Sequence, residues 1–339
     1  MKKSIKILSI IIILTIFLIT IIVIKNNKLS FTKYTLPTDI KVIDCINSSN
    51  FYVEKKGQSG IYNFNLKTKS LDPFFMPDTL NSVCKDYFVW IEKDANCYYI
   101  ITQDILDGNK EIVDKYETKV EPFIELDKNK NLLLYSKLNG DYIEIIFKDL
   151  NTNTSKSLDR KNINDPSLIS NVSISNKYIV WSKHTGDLNN INSSIYLYDI
   201  ESGLKQTIAN NCNMVKPMIK NNILIATKFK KNLNYTESIL VKYNFSNSTW
   251  SDFISTESNL YKNLKNVSID DPIIGEKYLS WWDNWSNNIH IYNINKNKFL
   301  SLYKNDTEVI KQVYFIKDRL IFYRELVDGK NYHKIIIIN

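Results

Sequence analysis

The sequence predicts an all-β fold, a seven-bladed β-propeller preceded by one N-terminal transmembrane helix, with six or eight blades as the alternatives. Three observations support this prediction. The segment 171–208 contains four short strands, two residue positions recur seven times along the chain, and residues 7–24 form an uncharged apolar run. Repeats of about 40–50 residues with four strands each are typical of propellers.

The segment 171–208 defines the repeat. Short runs rich in aromatic and β-branched residues, among them 178–183 and 194–200, alternate with clusters of Asn, Asp, Gly and Ser. Strands of four to seven residues separated by such turns indicate an antiparallel four-stranded meander. One such sheet cannot bury both of its faces alone, so neighbouring copies are expected.

Two marker positions give the same register. The first is Trp181, in the second strand of this repeat, and its equivalents lie 37 to 55 residues apart. They are Val53, Trp90, Tyr135, Ala226, Trp281 and Tyr323. The second marker is Asp199, which ends the third strand. Its equivalents are Asn65, Asp104, Asp149, Asn244, Asn293 and Asn339.

The Asp or Asn at the second marker has a local explanation. A short carboxylate or amide side chain accepts hydrogen bonds from the backbone two residues on and starts the turn to the fourth strand. Seven metal sites are the alternative interpretation. It is weaker, because Asn is a poor substitute for Asp as a hard-cation ligand and the two interchange freely here.

The ends of the chain are expected to meet. The seventh copy stops after its third strand, which would leave a sheet edge unpaired, and an unpaired edge promotes aggregation. The segment 30–37 (SFTKYTLP) precedes the first copy and has the character of a short strand. We therefore expect it to pair as the outer strand of the last blade, so that residues 30–339 form one closed propeller domain.

Composition fits a folded, strand-rich chain and excludes some partners. Of 339 residues, 44% are hydrophobic and 12% aromatic. The formal net charge is +8, but residues 1–28 contribute five lysines and no acid, and the remainder holds 39 basic against 36 acidic residues. This near balance gives no support for binding nucleic acid.

The apolar run at 7–24 is long enough for a helix to cross a hydrocarbon core. A cleaved signal peptide is the alternative, but no small-x-small site follows Ile24. Three lysines in the short tail 1–6 predict that the N-terminus is cytoplasmic and the propeller extracytoplasmic. The expected location is therefore the cell membrane, in a single pass.

Four cysteines lie in the predicted exported domain, Cys45, Cys84, Cys97 and Cys212. The repeat places Cys84 at the end of a first strand and Cys97 at the start of a third, which are poor positions for a disulfide. We expect mostly unpaired, structural thiols, although the sequence does not fix their disulfide status.

One copy of the repeat, ISNKYIVWSKHTGDLNNINSSIYLYDIESG, resembles the TolB-type β-propeller repeat of bacterial exported proteins. The features on which the resemblance rests are the YIVWS strand, the Gly-Asp in the polar loop and the IYLYD-x-x-x-G hairpin. The segments beginning GEKYLSWWD and KNLLLYSK match in the same way. This resemblance implies a propeller that serves as a binding scaffold rather than a catalyst.

Residues that could carry catalysis, a cofactor or a metal form no motif. The three histidines are not at metal-ligand spacing, and no C-x-x-C occurs. The sequence Gly57-Gln58-Ser59-Gly60 lies in a hairpin loop and lacks the helix that follows a nucleophile elbow. We therefore predict no catalytic residue, no metal site and no cofactor.

The candidate binding residues lie in the fourth to sixth repeats. Trp282, Asp283 and Trp285 could hold a carbohydrate by stacking and hydrogen bonds, although aromatic residues that fill the space between blades are the simpler interpretation. The loops 183–193 and 228–237 are the longest between second and third strands and add three further candidates. These are His184, Lys228 and Lys231.

The leading functional hypothesis is a non-catalytic scaffold at the cell surface that binds a protein or a cell-wall glycan. The alternative is a glycan-active propeller enzyme, a hydrolase or lyase, with acids drawn from Asp270, Asp271 and Asp283. A sensor that signals through the anchor is disfavoured by the short tail 1–6. Ligand, pathway and oligomeric state cannot be read from the sequence.

Overall fold

The structure is a computed structural model that describes residues 31–75, 82–83, 86–117, 124–127, 131–186, 190–231, 236–254, 268–283, 286–303 and 310–338. In these residues all regular secondary structure is β-strand, arranged as seven four-stranded antiparallel sheets. The predicted all-β, seven-bladed propeller is confirmed.

Each sheet is one blade, numbered here in chain order. Blade one contains β2 (Ile40–Cys45), β3 (Asn50–Lys55), β4 (Ile61–Asn65) and β5 (Leu71–Phe75). Blade two contains β6 (Ser82–Val83), β7 (Tyr87–Lys93), β8 (Cys97–Asp104) and β9 (Lys110–Glu117). Blade three contains β10 (Ile124–Asp127), β11 (Leu132–Asn139), β12 (Tyr142–Asp149) and β13 (Thr154–Asn162).

Blades four and five follow along the chain. Blade four contains β14 (Leu168–Ile174), β15 (Tyr178–Thr185), β16 (Asn192–Asp199) and β17 (Lys205–Cys212). Blade five contains β18 (Met214–Lys220), β19 (Ile223–Lys231), β20 (Thr236–Asn244) and β21 (Thr249–Ile254).

The last two blades complete the ring. Blade six contains β22 (Asp270–Ile274), β23 (Tyr278–Asp283), β24 (Asn288–Asn293) and β25 (Lys298–Tyr303). Blade seven contains β26 (Ile310–Lys317), β27 (Leu320–Val327) and β28 (Lys330–Ile338), with β1 (Phe31–Thr35) as its fourth strand. The first strands of neighbouring blades contact one another, so they line the central axis and the fourth strands form the rim.

The first marker position forms the core between blades. Each of the seven residues, from Val53 to Tyr323, lies in a second strand and is buried. Trp181 is an example, because it packs in one cluster with Leu134 and Ile145 of the preceding blade. Wedge-shaped sheets need large side chains where they diverge, which explains the aromatic residues at most of these positions.

The second marker position starts the turn to the fourth strand, as predicted. Asp199 Oδ1 accepts hydrogen bonds from the backbone N–H groups of Glu201 and Ser202 at 3.0 and 2.9 Å. Asn65, Asp104, Asp149, Asn244 and Asn293 accept equivalent bonds. The side chains therefore accept hydrogen bonds from backbone N–H groups of the turn. The seventh equivalent, Asn339, lies outside the described residues.

A carboxylate joins blade three to blade four. Asp159 of β13 accepts hydrogen bonds from Trp181 Nε1 at 2.8 Å and from Lys183 Nζ at 2.9 Å. Burial alone would raise the pKa of the Asp159 carboxyl, but these two bonds, together with the positive charges of Lys183 and Lys205, hold the pKa below its ordinary value of 3.8. The carboxyl therefore stays ionised, and the contact stays intact, at pH values above 3.8.

The same contact recurs one blade earlier. Asp114 of β9 accepts hydrogen bonds from Tyr135 Oη at 2.8 Å and from Lys137 Nζ at 3.0 Å. Tyr135 and Trp181 are equivalent first markers, and a lysine follows each of them two residues later. The aromatic side chain at the marker position thus fills the gap between blades, and it also donates a hydrogen bond to a carboxylate of the preceding blade.

The ring is closed by pairing of the two ends of the propeller chain. Phe31 to Thr35 pair antiparallel with Ile338 to Lys334, and Leu36 N–H donates to the carbonyl of His333 at 2.9 Å. Glu325, which is 1% exposed, lies beneath this seam with Lys334 bound to it and Lys33 Nζ at 3.9 Å. Backbone hydrogen bonds between β1 and β28 and the ion pairs of the buried Glu325 therefore both stabilise the closure of the ring.

Two expectations about the loops are corrected. The strands extend further than predicted, so that 183–185 and 192–193 belong to β15 and β16, and 228–231 and 236–237 belong to β19 and β20. Cross-strand pairs continue through these polar residues, for example Thr185 with Asn192. His290 in β24 is fully buried and stacks on Trp281, with ring centroids 5.2 Å apart.

The predicted tail 1–6 and membrane segment 7–24 lie outside the described residues. Within the part of the chain that is described, no helix is long and apolar enough to cross a membrane. Cys45, Cys97 and Cys212 are thiols without a disulfide, and Cys84 is not described.

Asp159→Ala is expected to lower the free energy of unfolding by about 2 kcal/mol, because it leaves the buried Trp181 N–H without its acceptor and removes one of the two acceptors of the Lys183 ammonium. Denaturant unfolding measures this change. Glu111→Gln, an exposed change on the rim strand β9, is the control and should stay within about 0.5 kcal/mol of the parent. Equal stability of the two variants would contradict the role of the carboxylate.

Stability is expected to fall as the pH drops below about 6.5, because the pKa of His333 is lowered in the fold. Burial is the main cause, and the positive charges of Arg324 and Lys41 add to it. The unfolded chain then binds the proton more readily, which favours unfolding between the two pKa values.

Thermal unfolding at pH 8 and pH 5 checks the prediction for His333. The His333→Gln variant should lose less stability between these two pH values than the parent. Its remaining pH dependence includes His184, whose pKa burial also lowers. An unchanged pH dependence in His333→Gln would contradict the assignment.

Candidate functional site

The antiparallel blades give the propeller two faces with different connections. We call the face that carries the second-to-third-strand loops and the blade-to-blade connections the loop face. The opposite face, with the first-to-second and third-to-fourth-strand turns, is the turn face. Asn131 Nδ2 donates to Asp86 Oδ2 at 2.7 Å between the first-to-second-strand turns of blades two and three, so equivalent turns meet on one face.

A bulge interrupts the axis-lining strands of blades four, five and six at the same position. In β18 the pairing steps from Val215–Thr227 to Met218–Ile225, which leaves one extra residue opposite the marker Ala226. In β14 and β22 it steps in the same way, opposite the markers Trp181 and Trp281. The first strands of blades one and seven also contain a bulge, so the bulge is a feature of the repeat, and it redirects the side chains at this position.

The bulges bring Lys216 and Asp271 together across two blades. Both residues have a left-handed backbone, with φ of +52° and +43°. Lys216 Nζ donates to Asp271 Oδ1 at 2.6 Å, and the two side chains are 39% and 46% exposed. An ammonium group and a carboxylate are therefore held next to each other on the axis-lining strands of blades five and six, and both remain partly exposed.

Three of the residues predicted from the sequence lie around this pair. His184, Lys228 and Trp282 pair with residues at the starts of the axis-lining strands of blades four, five and six, namely Leu168, Met214 and Asp270. These strand ends are on the loop face. The structure thus places the three predicted residues in one sector, at the same end of the strands as Lys216 and Asp271.

Trp282 and His184 are half-buried. The Trp282 indole N–H donates to Asn287 Oδ1 at 3.4 Å, in the connection between β23 and β24. Burial lowers the pKa of His184 below its ordinary value of 6.5, so that the ring is mostly neutral at neutral pH. Lys228 is also half-buried. The sector therefore offers an aromatic face, a neutral imidazole and ammonium groups.

Asp283 differs from these residues because it is fully buried. Its carboxylate accepts a hydrogen bond from Ser286 Oγ at 2.7 Å, and His290 Nε2 lies 3.4 Å from it. The carboxylate is thus enclosed in blade six, away from the surface of the loop face. Trp285 lies outside the described residues, and of Lys231 only the backbone, paired with Thr236, is described.

Lys216 is the functional candidate that the sequence reasoning missed. A usable signal is present, because Lys216-Pro217 and Asp271-Pro272 occupy the same position in two consecutive repeats. A proline within a first strand marks a bulge, since it cannot donate to the ladder. Asp271 entered the sequence analysis only as one of three possible acids.

The chemistry of the sector suits an organic ligand better than a cation. Among the described residues no group of three or more His, Cys, Asp or Glu side chains is placed to hold a metal ion. Lys216 can donate hydrogen bonds and Asp271 can accept them, which matches a ligand that carries hydroxyl, amide or charged groups. The Trp282 ring adds a surface for stacking.

Comparison with known proteins identifies relatives in fold only. No protein-family model and no curated protein matches the chain. Among solved structures, a prolyl endopeptidase matches with 11% identity and a TM-score of 0.63, over 92% of this chain and 51% of that chain. The chain therefore spans about half the length of that peptidase.

Two further structures match over most of their own length. An oligogalacturonate lyase in complex with manganese is 10% identical, with a TM-score of 0.59, over 92% of this chain and 96% of the lyase. TolB from Acinetobacter baumannii is 11% identical, with a TM-score of 0.43, over 90% of this chain and 79% of TolB. The prolyl endopeptidase and the oligogalacturonate lyase therefore share the fold of this chain.

Proposed function

We propose that the protein is a non-catalytic binding scaffold, held at the cell membrane by residues 7–24, with its propeller on the outer side. Its ligand is a protein or a cell-wall glycan that contacts the loop face over blades four to six. The Lys216–Asp271 pair, Trp282, His184 and Lys228 form the contact surface.

The left-handed backbone of Lys216 and Asp271 is the observation that carries the proposal. Such a conformation costs on the order of 1–3 kcal/mol at each non-glycine residue. A partly exposed ion pair returns only about 0–1 kcal/mol, because water screens it. The pair therefore costs stability on balance, and strain of this kind is typical of sites that hold side chains ready for a ligand.

The fold supports the same conclusion. The pair and Trp282 lie on strands of two packed blades rather than on long loops. A surface fixed in this way loses little conformational entropy when a ligand binds. Rigid strands thus place charged and aromatic groups in one sector before the ligand arrives.

Lys216→Gly is expected to raise the free energy of unfolding by about 1 kcal/mol, although it removes an ion pair, because glycine adopts positive φ without strain. The matched control is Lys220→Gly in the same strand, where φ is not positive and a loss of about 0.5–1 kcal/mol is expected. Denaturant unfolding compares the two variants. A similar loss in both would show that Lys216 is not strained.

Binding is tested by capture on the immobilised full-length protein, in detergent, from cell-envelope extract and from purified cell-wall glycan fragments. The double variant Lys216→Gln with Asp271→Asn should lose at least about tenfold in capture, since each charged hydrogen bond contributes about 1.5–3 kcal/mol. Lys110→Gln with Glu92→Gln removes an ion pair of similar exposure in blade two, outside the proposed contact surface, and should bind like the parent. Equal capture by both double variants would contradict the site.

A glycan-active enzyme is the second candidate, and one observation favours it. Asp271 is a partly exposed carboxylate next to an ammonium group, whereas Asp283 is enclosed and only the backbone of Asp270 is described. One carboxylate can act as a base, and the ammonium could bind an acidic sugar. Structures with this fold include the oligogalacturonate lyase.

Turnover of oligogalacturonate distinguishes the two candidates. Elimination would create a carbon–carbon double bond that absorbs ultraviolet light. Turnover by the parent that is lost in Asp271→Asn would establish the enzyme and refute the scaffold. Binding without turnover would support the scaffold.

A further inference from the structure

The chain enters the propeller on the turn face. Phe31, the first residue of β1, pairs with Ile338, whose N–H donates to the carbonyl of Arg319 at 2.9 Å. Arg319 lies in the turn between β26 and β27. Whatever precedes Phe31 therefore leaves the domain beside the turns of blades six, seven and one.

The two faces differ in charge. Counted over the described connections between strands, the turn face has six basic and five acidic residues, a net charge of +1. The loop face has one basic and five acidic residues, a net charge of −4. The whole propeller is close to neutral, so this separation follows from where the topology places each connection.

The positive charge is concentrated where the chain enters. The turns of blades six, seven and one carry five exposed basic side chains and two acidic ones, Glu276 and Asp318. The basic residues are Lys67, Lys69, Lys277, Lys296 and Arg319. Ile46, in a turn of blade one, adds an apolar side chain that is 40% exposed.

The connection to the predicted anchor is short. Residues 25–30 separate the apolar run from β1, and six residues span at most about 20 Å when fully extended. Lys25 and Lys28 lie in this connection and add two positive charges. The turn face is thus within reach of the bilayer surface, and the Debye length at physiological salt is about 8 Å.

We propose that the turn face of blades six, seven and one lies against the headgroups of an anionic phospholipid bilayer. Its lysines and Arg319 bind the lipid phosphates, as basic residues beside a membrane segment do. This inference rests on the anchor in the proposed function. It adds an orientation to that function, in which the negative loop face and the Lys216–Asp271 pair point away from the membrane.

Lysine acetylation of the full-length protein in lipid nanodiscs tests the orientation. Nanodiscs of phosphatidylcholine alone are compared with nanodiscs that also contain phosphatidylglycerol. Mass spectrometry measures the rate of acetylation at each lysine. With the anionic lipid, acetylation of Lys67, Lys69, Lys277 and Lys296 should slow at least about threefold and recover in high salt. Lys56, exposed on the loop face of blade one, is the internal control and should not change.

A charge-reversal variant sharpens the test. Lys67→Glu with Lys69→Glu should remove the protection of Lys277 and Lys296, which are not themselves changed, whereas Lys56→Glu should leave it intact. Protection that is the same in both lipids, or absent from both, would overturn the docking proposal. A chain that does not co-purify with nanodiscs would overturn the anchor as well, so failure of the anchor and failure of the docked orientation give different results.

Discussion

The fold depends on pairing the last open edge of its seventh sheet. The end of the chain is held to its start, because β1 supplies the fourth strand that pairs with β28. Five backbone pairs, Leu36 bonded to His333 and the buried Glu325 all lie at this seam. Stability of the whole domain is therefore coupled to a few residues that are far apart in sequence.

Two neighbouring interfaces, between blades two and three and between blades three and four, share the same polar contact. Asp114 and Asp159 bind the marker aromatic and the lysine of the next blade. At the next interface the position of Asp159 is taken by Ala209, and the marker is Ala226, so neither partner of this contact is present. Blades four and five are held by apolar packing and by other hydrogen bonds, such as that from the Trp250 indole N–H to the carbonyl of Ile208 at 3.0 Å.

Much of the fold could be predicted because its signals are local. The marker aromatics, the Asx turns and the strand at the front of the chain are each set by a few neighbouring residues. The site could be predicted only in part. His184, Lys228 and Trp282 follow from the repeat register, but Lys216 depends on a bulge in which lysine adopts an unusual backbone, and the burial of Asp283 depends on His290 in the next strand. Such contacts are not encoded in residue spacing.

The closing strand also decides how the domain would carry a mechanical load. Because β1 begins at the turn face and runs along β28, tension applied at Phe31 acts parallel to the strand axis. The hydrogen bonds between the two strands are then stretched together rather than opened one after another, which is the stronger arrangement. The seam that completes the ring is thus oriented to resist pulling from the side on which the chain enters.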